Sequence, residues 1–321
     1  MGQCSGKSKA AAVSSPAVPQ GPALIGTHGT TPTGAKKDRL SKGYKSLRRD
    51  GYGNFTEDSN DVVVQPSGTH THTVIMLHGL YGTGHQFMPN AKANNQGLPE
   101  TVSKRGGAST NGIKYIFPTA PKRTMHWPAS EGGDEPDVHA WYTYYSDKSG
   151  TMDADNDEID RTEYDESVQQ LADLVNKEIV KLGDSSKVII GGYSQGGTTA
   201  ISAAMAQWDH GIPAALIGIN TVPMRFTQPN PANLALKINA FVDGNDGVYP
   251  VALQQKNYGQ LESNGYKLTL EVVPGVDHGP YKQTMNDYAA QWILDAFSLK
   301  DVAAIYEASP CLRPKNTWGC C

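Results

Sequence analysis

From about residue 60 to residue 298 the chain alternates short apolar runs with stretches of helical periodicity. "DVVVQP" and "HTVIMLHG" predict two strands joined by the turn "SGTH", and "IKYIFP" predicts the next. In "DESVQQLADLVNKEIVKLG" the apolar residues Val168, Leu171, Leu174, Val175, Ile179 and Leu182 recur at helical spacing. "KVIIGG" then reads as a strand and "QGGTTAISAAMAQW" as a helix of small residues. "ALIGINTV" and "KINAFVDG" are strands, and "ALQQKNYGQLESNG" is a helix stopped by Gly265. "KLTLEVVPG" is the last strand and "QTMNDYAAQWILDAF" the last helix. Strands this short and apolar, alternating with helices, predict a mostly parallel central sheet with helices on both faces, an α/β fold.

One junction carries chemistry. Gly192-Tyr193-Ser194-Gln195-Gly196 is a G-x-S-x-G motif between a predicted strand and a predicted helix. Alone the motif is weak; at a strand–turn–helix junction it places a serine hydroxyl on a tight bend at the sheet edge. The N–H groups of the following helix favour negative charge developing there. A nucleophilic serine needs a base, and the base needs an orienting group. After "KINAFVDG" comes Asp246, and after "KLTLEVVPG" comes His278. Both follow strand ends, where open α/β sheets collect their sites. Asp243 competes with Asp246 but lies at the strand end, whereas Asp246 lies in the loop. Asp277, beside His278, is expected to point away from it. Acyl transfer also needs two fixed N–H donors for an oxyanion. Gln195, directly after the serine, supplies one, and Leu80, in the loop after "HTVIMLHG", supplies the other.

The landmarks "TVIMLHGLYGTGHQF", "IKYIFPTAP", Trp141-Tyr142, "YDESV", "KVIIGGYSQGG", "DGNDGVYP" and "GVDHG" occur in that order. With them the chain resembles the acyl-protein thioesterase/carboxylesterase family of α/β-hydrolases over about residues 60–298. The resemblance implies Ser194 as nucleophile, Asp246 as acid, His278 as base, and Leu80 and Gln195 as oxyanion donors. It implies cleavage of acyl thioesters on protein cysteines, or of carboxyl esters and lysophospholipids, without metal or cofactor. A catalytically silent binding protein on the same shell is the remaining alternative, and the intact Ser–Asp–His order argues against it. Tyr81-Gly82 departs from the family's usual Gly-Asp pair, which bears on the shape of the oxyanion loop. The segment from Met125 to Asp160 is expanded, so acyl-length preference does not transfer. Met125, Trp127 and Trp141 are candidates for an apolar acyl slot.

Charge and cysteine usage add the ends of the chain to this picture. Residues 1–50 carry a net charge of +7, leaving −11 for the remainder. A basic arm on an acidic body points to an anionic surface as partner. Here that partner is expected to be a membrane rather than nucleic acid. Residues 1–58 are rich in Gly, Ser, Pro, Thr and Lys and predict a disordered extension. Residues 59–299 form the expected hydrolase domain and 300–321 a tail. Cys4, Cys311, Cys320 and Cys321 all lie near the ends, so no disulfide framework supports the core and a cytoplasmic setting fits. Prolines and serines interrupt the N-terminal apolar stretch, so a secretory signal is not expected. Met1-Gly2-Gln3-Cys4-Ser5 invites myristoylation of Gly2 and palmitoylation of Cys4, although Gly6 replaces the usual Ser/Thr. Cys320-Cys321 resembles a prenylated double-cysteine end without a C-a-a-X box. Asp153, Asp155 and Asp157 imitate the start of a calcium loop but lack its glycine and terminal glutamate in register. They read as an acidic solvated loop. Oligomeric state is not legible in the sequence.

Overall fold

Successive strand residues point to opposite faces, so each apolar run covers two layers at once. The computed structural model describes residues 45–47 and 61–299, apart from 146–157, 207, 209, 276 and 280. Gly2, Cys4, Asp153, Asp155, Asp157, Cys311, Cys320 and Cys321 lie outside the described residues. The strands are β1 (Lys45–Leu47), β2 (Val62–Val64), β3 (His72–Leu77), β4 (Ile113–Phe117), β5 (Lys122–His126), β6 (Asp134–His139), β7 (Val188–Tyr193), β8 (Ala215–Ile219), β9 (Lys237–Asp243) and β10 (Lys267–Val273). The α-helices are α1 (Leu98–Gly106), α2 (Arg161–Leu182), α3 (Gln195–Ala204), α4 (Val251–Ser263) and α5 (Gln283–Ala296).

The main sheet runs β1-β2-β4-β3-β7-β8-β9-β10. Every pairing in it is parallel except β2 with β4. The strands read on either side of the turn at 67–70 therefore do not pair with each other; β4 lies between them. Alternation is strict on β3. Ile75 and Leu77 join the core beneath α2, α3 and α4, with Leu171, Val175, Ile201 and Leu261. Val74 and Met76 join the opposite core, with Val102 of α1 and Met285 and Ile293 of α5. Helices thus cover both faces, as the pattern predicts.

α2 begins at Asp160, whose side chain accepts the Glu163 N–H, and ends at Gly183 with φ 68°. This is the left-handed cap that glycine adopts without strain. β1 lies within the stretch 1–58 expected to be disordered, and α1 and the two-stranded antiparallel pair β5–β6 lie in segments to which the apolar pattern assigned no element. β6 reads "DEPDVH", whose exposed acidic positions hide a strand.

Consecutive strands β3, β7, β8, β9 and β10 are mutually parallel, so their C-terminal ends share one edge. The loops beginning at His78, Ser194, Asn220, Gly244 and Pro274 gather there. Buried lower in the sheet, Lys114 Nζ donates to Glu178 Oε1 at 2.7 Å and Thr73 Oγ1 donates to Glu178 Oε2 at 2.9 Å. This group ties β3 and β4 to α2. Lys114→Met leaves the Glu178 carboxylate buried without its counter-charge. It is expected to lower the unfolding free energy by about 3 kcal/mol, the scale for breaking a buried pair. The double variant Lys114→Met/Glu178→Leu is expected to recover most of that loss. Urea unfolding of the three proteins checks both expectations.

Candidate active site

Six buried residues carry β7 to the sheet edge, and the chain turns at once into α3. Ser194 occupies the turn with φ 51° and ψ −124°, a region that non-glycine residues avoid. Holding a residue there costs on the order of 1–3 kcal/mol and needs surrounding structure that over-determines it. Close approach supplies this. A Cβ on Gly192 would stand 2.6 Å from the Gly196 carbonyl, and one on Gly196 would collide with the Leu77 and His78 carbonyls. The glycines therefore let the start of α3 cross the ends of β7 and β3. Ser194 N–H donates to Ile219 O at 2.9 Å, tying the turn to β8.

Three side chains distant in sequence meet at this turn. Ser194 Oγ lies 2.9 Å from His278 Nε2. His278 Nδ1 lies 2.8 Å from Asp246 Oδ2. A carboxylate only accepts, so Nδ1 carries the proton and Nε2 accepts from the serine hydroxyl. Asp246 Oδ1 accepts the Val248 N–H at 2.8 Å and the Tyr249 N–H at 2.7 Å. Gln254 Nε2 donates to its Oδ2 at 3.2 Å. The Asp246 side chain is fully buried. Asp243 is committed elsewhere: Asn220 Nδ2 donates to its Oδ2, and burial pushes its carboxyl up to about 6. Asp277 is exposed and faces Lys282 Nζ at 2.9 Å, whose hydrogen bond holds its carboxyl below the usual range.

Rings hold His278 in place. Its centroid is 5.4 Å from that of Tyr193 and 5.6 Å from that of Tyr249. Tyr193 OH reaches the carbonyls of His278 and Gly279, each at 2.7 Å. Tyr193, Tyr249 and Gln254 were not singled out from the sequence. Tyr193 sits inside the G-x-S-x-G motif and Tyr249 three residues after Asp246, so proximity to the motifs was the available signal.

Leu80 and Gln195 line the same cavity as Ser194. Gln195 opens α3, where the first N–H groups have no intrahelical acceptor. Its side chain ties the start of α3 to Trp141 and Tyr142. Oε1 accepts the Trp141 N–H at 2.9 Å, and Nε2 donates to Tyr142 O at 2.8 Å. Tyr81 takes φ 65°, donates its N–H to His139 O at 3.0 Å and its hydroxyl to Glu135 Oε2 at 2.7 Å. The residue pair that departs from the family pattern is thus accommodated by a left-handed tyrosine anchored on β6. Burial pushes the His78 imidazole down to about 4, so it is neutral at physiological pH.

The cavity holds about 610 Å³, and Leu80, Val248, Tyr144, Tyr193, Tyr249 and Tyr281 give it an apolar, aromatic lining. Thr83, His85, Gln86 and Asn90 add a polar flank. The expectation for Met125, Trp127 and Trp141 needs correction: none of the three lines this cavity. All are buried in the core. Trp127 stacks behind Tyr144 at 6.0 Å and donates its indole N–H to Glu135. Trp141 donates its indole N–H to His78 O at 2.7 Å and its backbone N–H to Gln195. A buried indole needs an acceptor, and here the acceptor belongs to the scaffold of the site. Among the described residues no group of three His, Cys, Asp or Glu side chains is placed to hold a metal. Among them, too, no helix is long and apolar enough to cross a membrane.

The chain is 32% identical over 167 residues to acyl-protein thioesterase 1 of Schizosaccharomyces pombe, covering 51% of this chain and 61% of that protein, less than two thirds of its length. With acyl-protein thioesterase 1 of Saccharomyces cerevisiae it is 26% identical over 222 residues, covering 68% of this chain and 90% of the relative. The crystal structure of acyl-protein thioesterase 2 of Zea mays matches with a TM-score of 0.54 at 20% identity, covering 74% of this chain and 98% of that one. Arabidopsis thaliana SOBER1 matches with a TM-score of 0.56 at 16% identity, over 70% of this chain and 98% of that one. At these identities the two solved structures establish a shared α/β-hydrolase fold. The sequence model for phospholipases and carboxylesterases matches residues 58–293, most of the chain. By that match the chain belongs to the phospholipase/carboxylesterase family.

Proposed function

We propose that the protein is a serine hydrolase of the acyl-protein thioesterase type, acting on S-acylated proteins. The observation that carries this reading is the hydrogen-bonded series Ser194 Oγ, His278 Nε2, His278 Nδ1, Asp246 Oδ2, opening on an aromatic-lined cavity. The name acyl-protein thioesterase 1, shared by relatives in two yeasts, supports the thioester as substrate.

His278 Nε2 takes the Ser194 proton as Oγ bonds to the acyl carbonyl carbon. The carbonyl oxygen becomes an oxyanion and accepts from the Leu80 and Gln195 N–H groups. The tetrahedral adduct collapses, the C–S bond breaks, and His278 gives its proton to the departing thiolate. Water then attacks the acyl-serine ester with His278 again as base. The second adduct releases the fatty acid and returns the proton to Ser194. Asp246 stays ionised throughout, fixing the imidazole tautomer and stabilising the imidazolium. Two backbone N–H donors and Gln254 hold its carboxylate in place for this.

Delivery to membrane-bound clients follows from the ends of the chain. Gly2 and Cys4 are acylation sites in this reading, and the basic arm adds electrostatic attraction to anionic lipid. One myristoyl chain binds marginally, and a second signal makes attachment stable. The enzyme is therefore cytoplasmic and peripherally membrane-associated.

Ser194→Ala is expected to abolish turnover and labelling by a fluorophosphonate probe. Asp246→Asn is expected to lower kcat by roughly 10⁴-fold, as for a lost orienting carboxylate. Asp243→Asn is expected to lower it by less than about tenfold, because its carboxylate faces Asn220 rather than His278. Steady-state kinetics on the three variants measures this. Hydrolysis of a palmitoyl-cysteine peptide, lysophosphatidylcholine and a short p-nitrophenyl ester under matched conditions tests the substrate class. The thioester is expected to give the highest kcat/KM, and a higher value for the lysophospholipid would make the protein a lysophospholipase instead. In cell fractionation, Gly2→Ala and Cys4→Ser are each expected to move the protein from membrane to soluble fractions. Unchanged partitioning of both would remove N-terminal lipidation.

A further inference from the structure

We propose that His78 is a positioning residue for the oxyanion site, and that Thr221 plays the same part more weakly on the other side. The inference rests on the hydrolase reading above and concerns how its two N–H donors are aimed. In a trans peptide the carbonyl of one residue and the N–H of the next are coplanar and point in opposite directions. Whatever grips the carbonyl therefore aims the N–H. The Leu80 N–H belongs to the peptide whose carbonyl is Gly79 O. The Gln195 N–H belongs to the peptide whose carbonyl is Ser194 O.

Both carbonyls are gripped by buried side chains that do not line the cavity. His78 Nδ1 is 2.6 Å from Gly79 O. Ala120 N–H donates to His78 Nε2 at 2.9 Å, so Nε2 is the acceptor and Nδ1 carries the proton. The ring has no exposed surface. It packs on Trp141 at 5.1 Å, and Trp141 in turn donates to the His78 carbonyl at 2.7 Å. Tautomer and ring orientation are thus both set. Thr221 Oγ1 donates to Ser194 O at 2.8 Å, and Thr221 is likewise fully buried.

The two grips differ in redundancy. Ser194 O also accepts from Gly197 N at 2.9 Å and Thr198 N at 3.2 Å, so two donors remain when Thr221 is removed. Among the described residues, Gly79 O has one further donor, Gly82 N at 3.0 Å. Gly79 also brings glycine's backbone freedom to that peptide. Without His78 the Gly82 N–H is left to restrain the Gly79–Leu80 peptide, and rotation of the Leu80 N–H out of the site becomes easier. Loss of one oxyanion donor costs roughly 10²- to 10³-fold in kcat, which bounds the effect.

The test uses two isosteric halves of imidazole. His78→Asn keeps an N–H near the Nδ1 position, and His78→Gln keeps an acceptor near the Nε2 position. His78→Asn is expected to retain kcat within about fivefold, and His78→Gln to lose roughly 30-fold or more with KM within about threefold, since the interaction is realised in the transition state. Affinity for a trifluoromethyl ketone analogue is expected to fall in proportion to kcat/KM. Thr221→Val is expected to lose roughly fivefold, well under one donor's share, and Thr221→Ser to restore it. Equal activity of His78→Asn and His78→Gln overturns the inference, as does a kcat loss without loss of analogue affinity. Should either His78 variant fail to fold, the Thr221 pair decides: a Thr221→Val variant as active as wild type, or a loss that serine does not restore, overturns it. Ser194→Ala, run alongside, separates the two claims. Activity surviving in Ser194→Ala overturns the hydrolase reading itself, whereas an inactive Ser194→Ala with active His78→Gln overturns only the positioning role.

Discussion

Crowding at one backbone turn governs the rest of the site. Ser194 is held at φ 51° because the end of β7, the start of α3 and the end of β3 approach too closely for side chains. Gly192 and Gly196 make that approach possible, and the bond from Ser194 N–H to Ile219 O adds β8 to it. The strain is local, of order 1–3 kcal/mol. The constraint it creates is wider. Once β3 and α3 are pressed together, the loop after β3 must pass beside the serine, and Leu80 and Gln195 come to line one cavity.

Parallel strand order converts sequence distance into proximity. Ser194, Asp246 and His278 follow β7, β9 and β10, whose C-terminal ends lie on one edge. The register of these strands leaves two acidic residues, three positions apart, with different fates. Asp243 is taken by Asn220, while Asp246 receives backbone N–H groups from Val248 and Tyr249 and faces the imidazole. A cluster of interior hydrogen bonds then supports the arrangement from below. Trp141 joins the His78 carbonyl to the Gln195 side chain, so the loop after β3 and the nucleophile helix are tied through a single residue.

Much of this was legible in the chain itself. Periodicity distinguished strands from helices because both faces of the sheet are covered, and the motifs followed strands whose order fixed their edge. β1, α1, β5 and β6 were not legible: β6 is acidic and carries a proline, and its pairing with β5 runs from His126–Asp134 to Lys122–His139 with a bulge between Arg123 and Met125. Met125, Trp127 and Trp141 look like cavity residues because large apolar side chains suit a slot and a core equally. Burial decides between the two, and only packing reveals it. The tyrosines that do line the cavity sit beside the motifs, but Tyr144, Tyr193 and Tyr249 take hydroxyl partners far away in sequence. Tyr144, for example, meets Tyr249 across 105 residues.

The central claim is that Ser194 carries the acyl group during turnover. Acid quenching during hydrolysis of a palmitoyl-cysteine peptide, followed by peptide mapping, tests it directly. The account predicts a transient acyl ester on the peptide containing Ser194, formed and lost at rates compatible with turnover. Turnover with no acylated intermediate at that peptide, or with the acyl group on another residue, would contradict it.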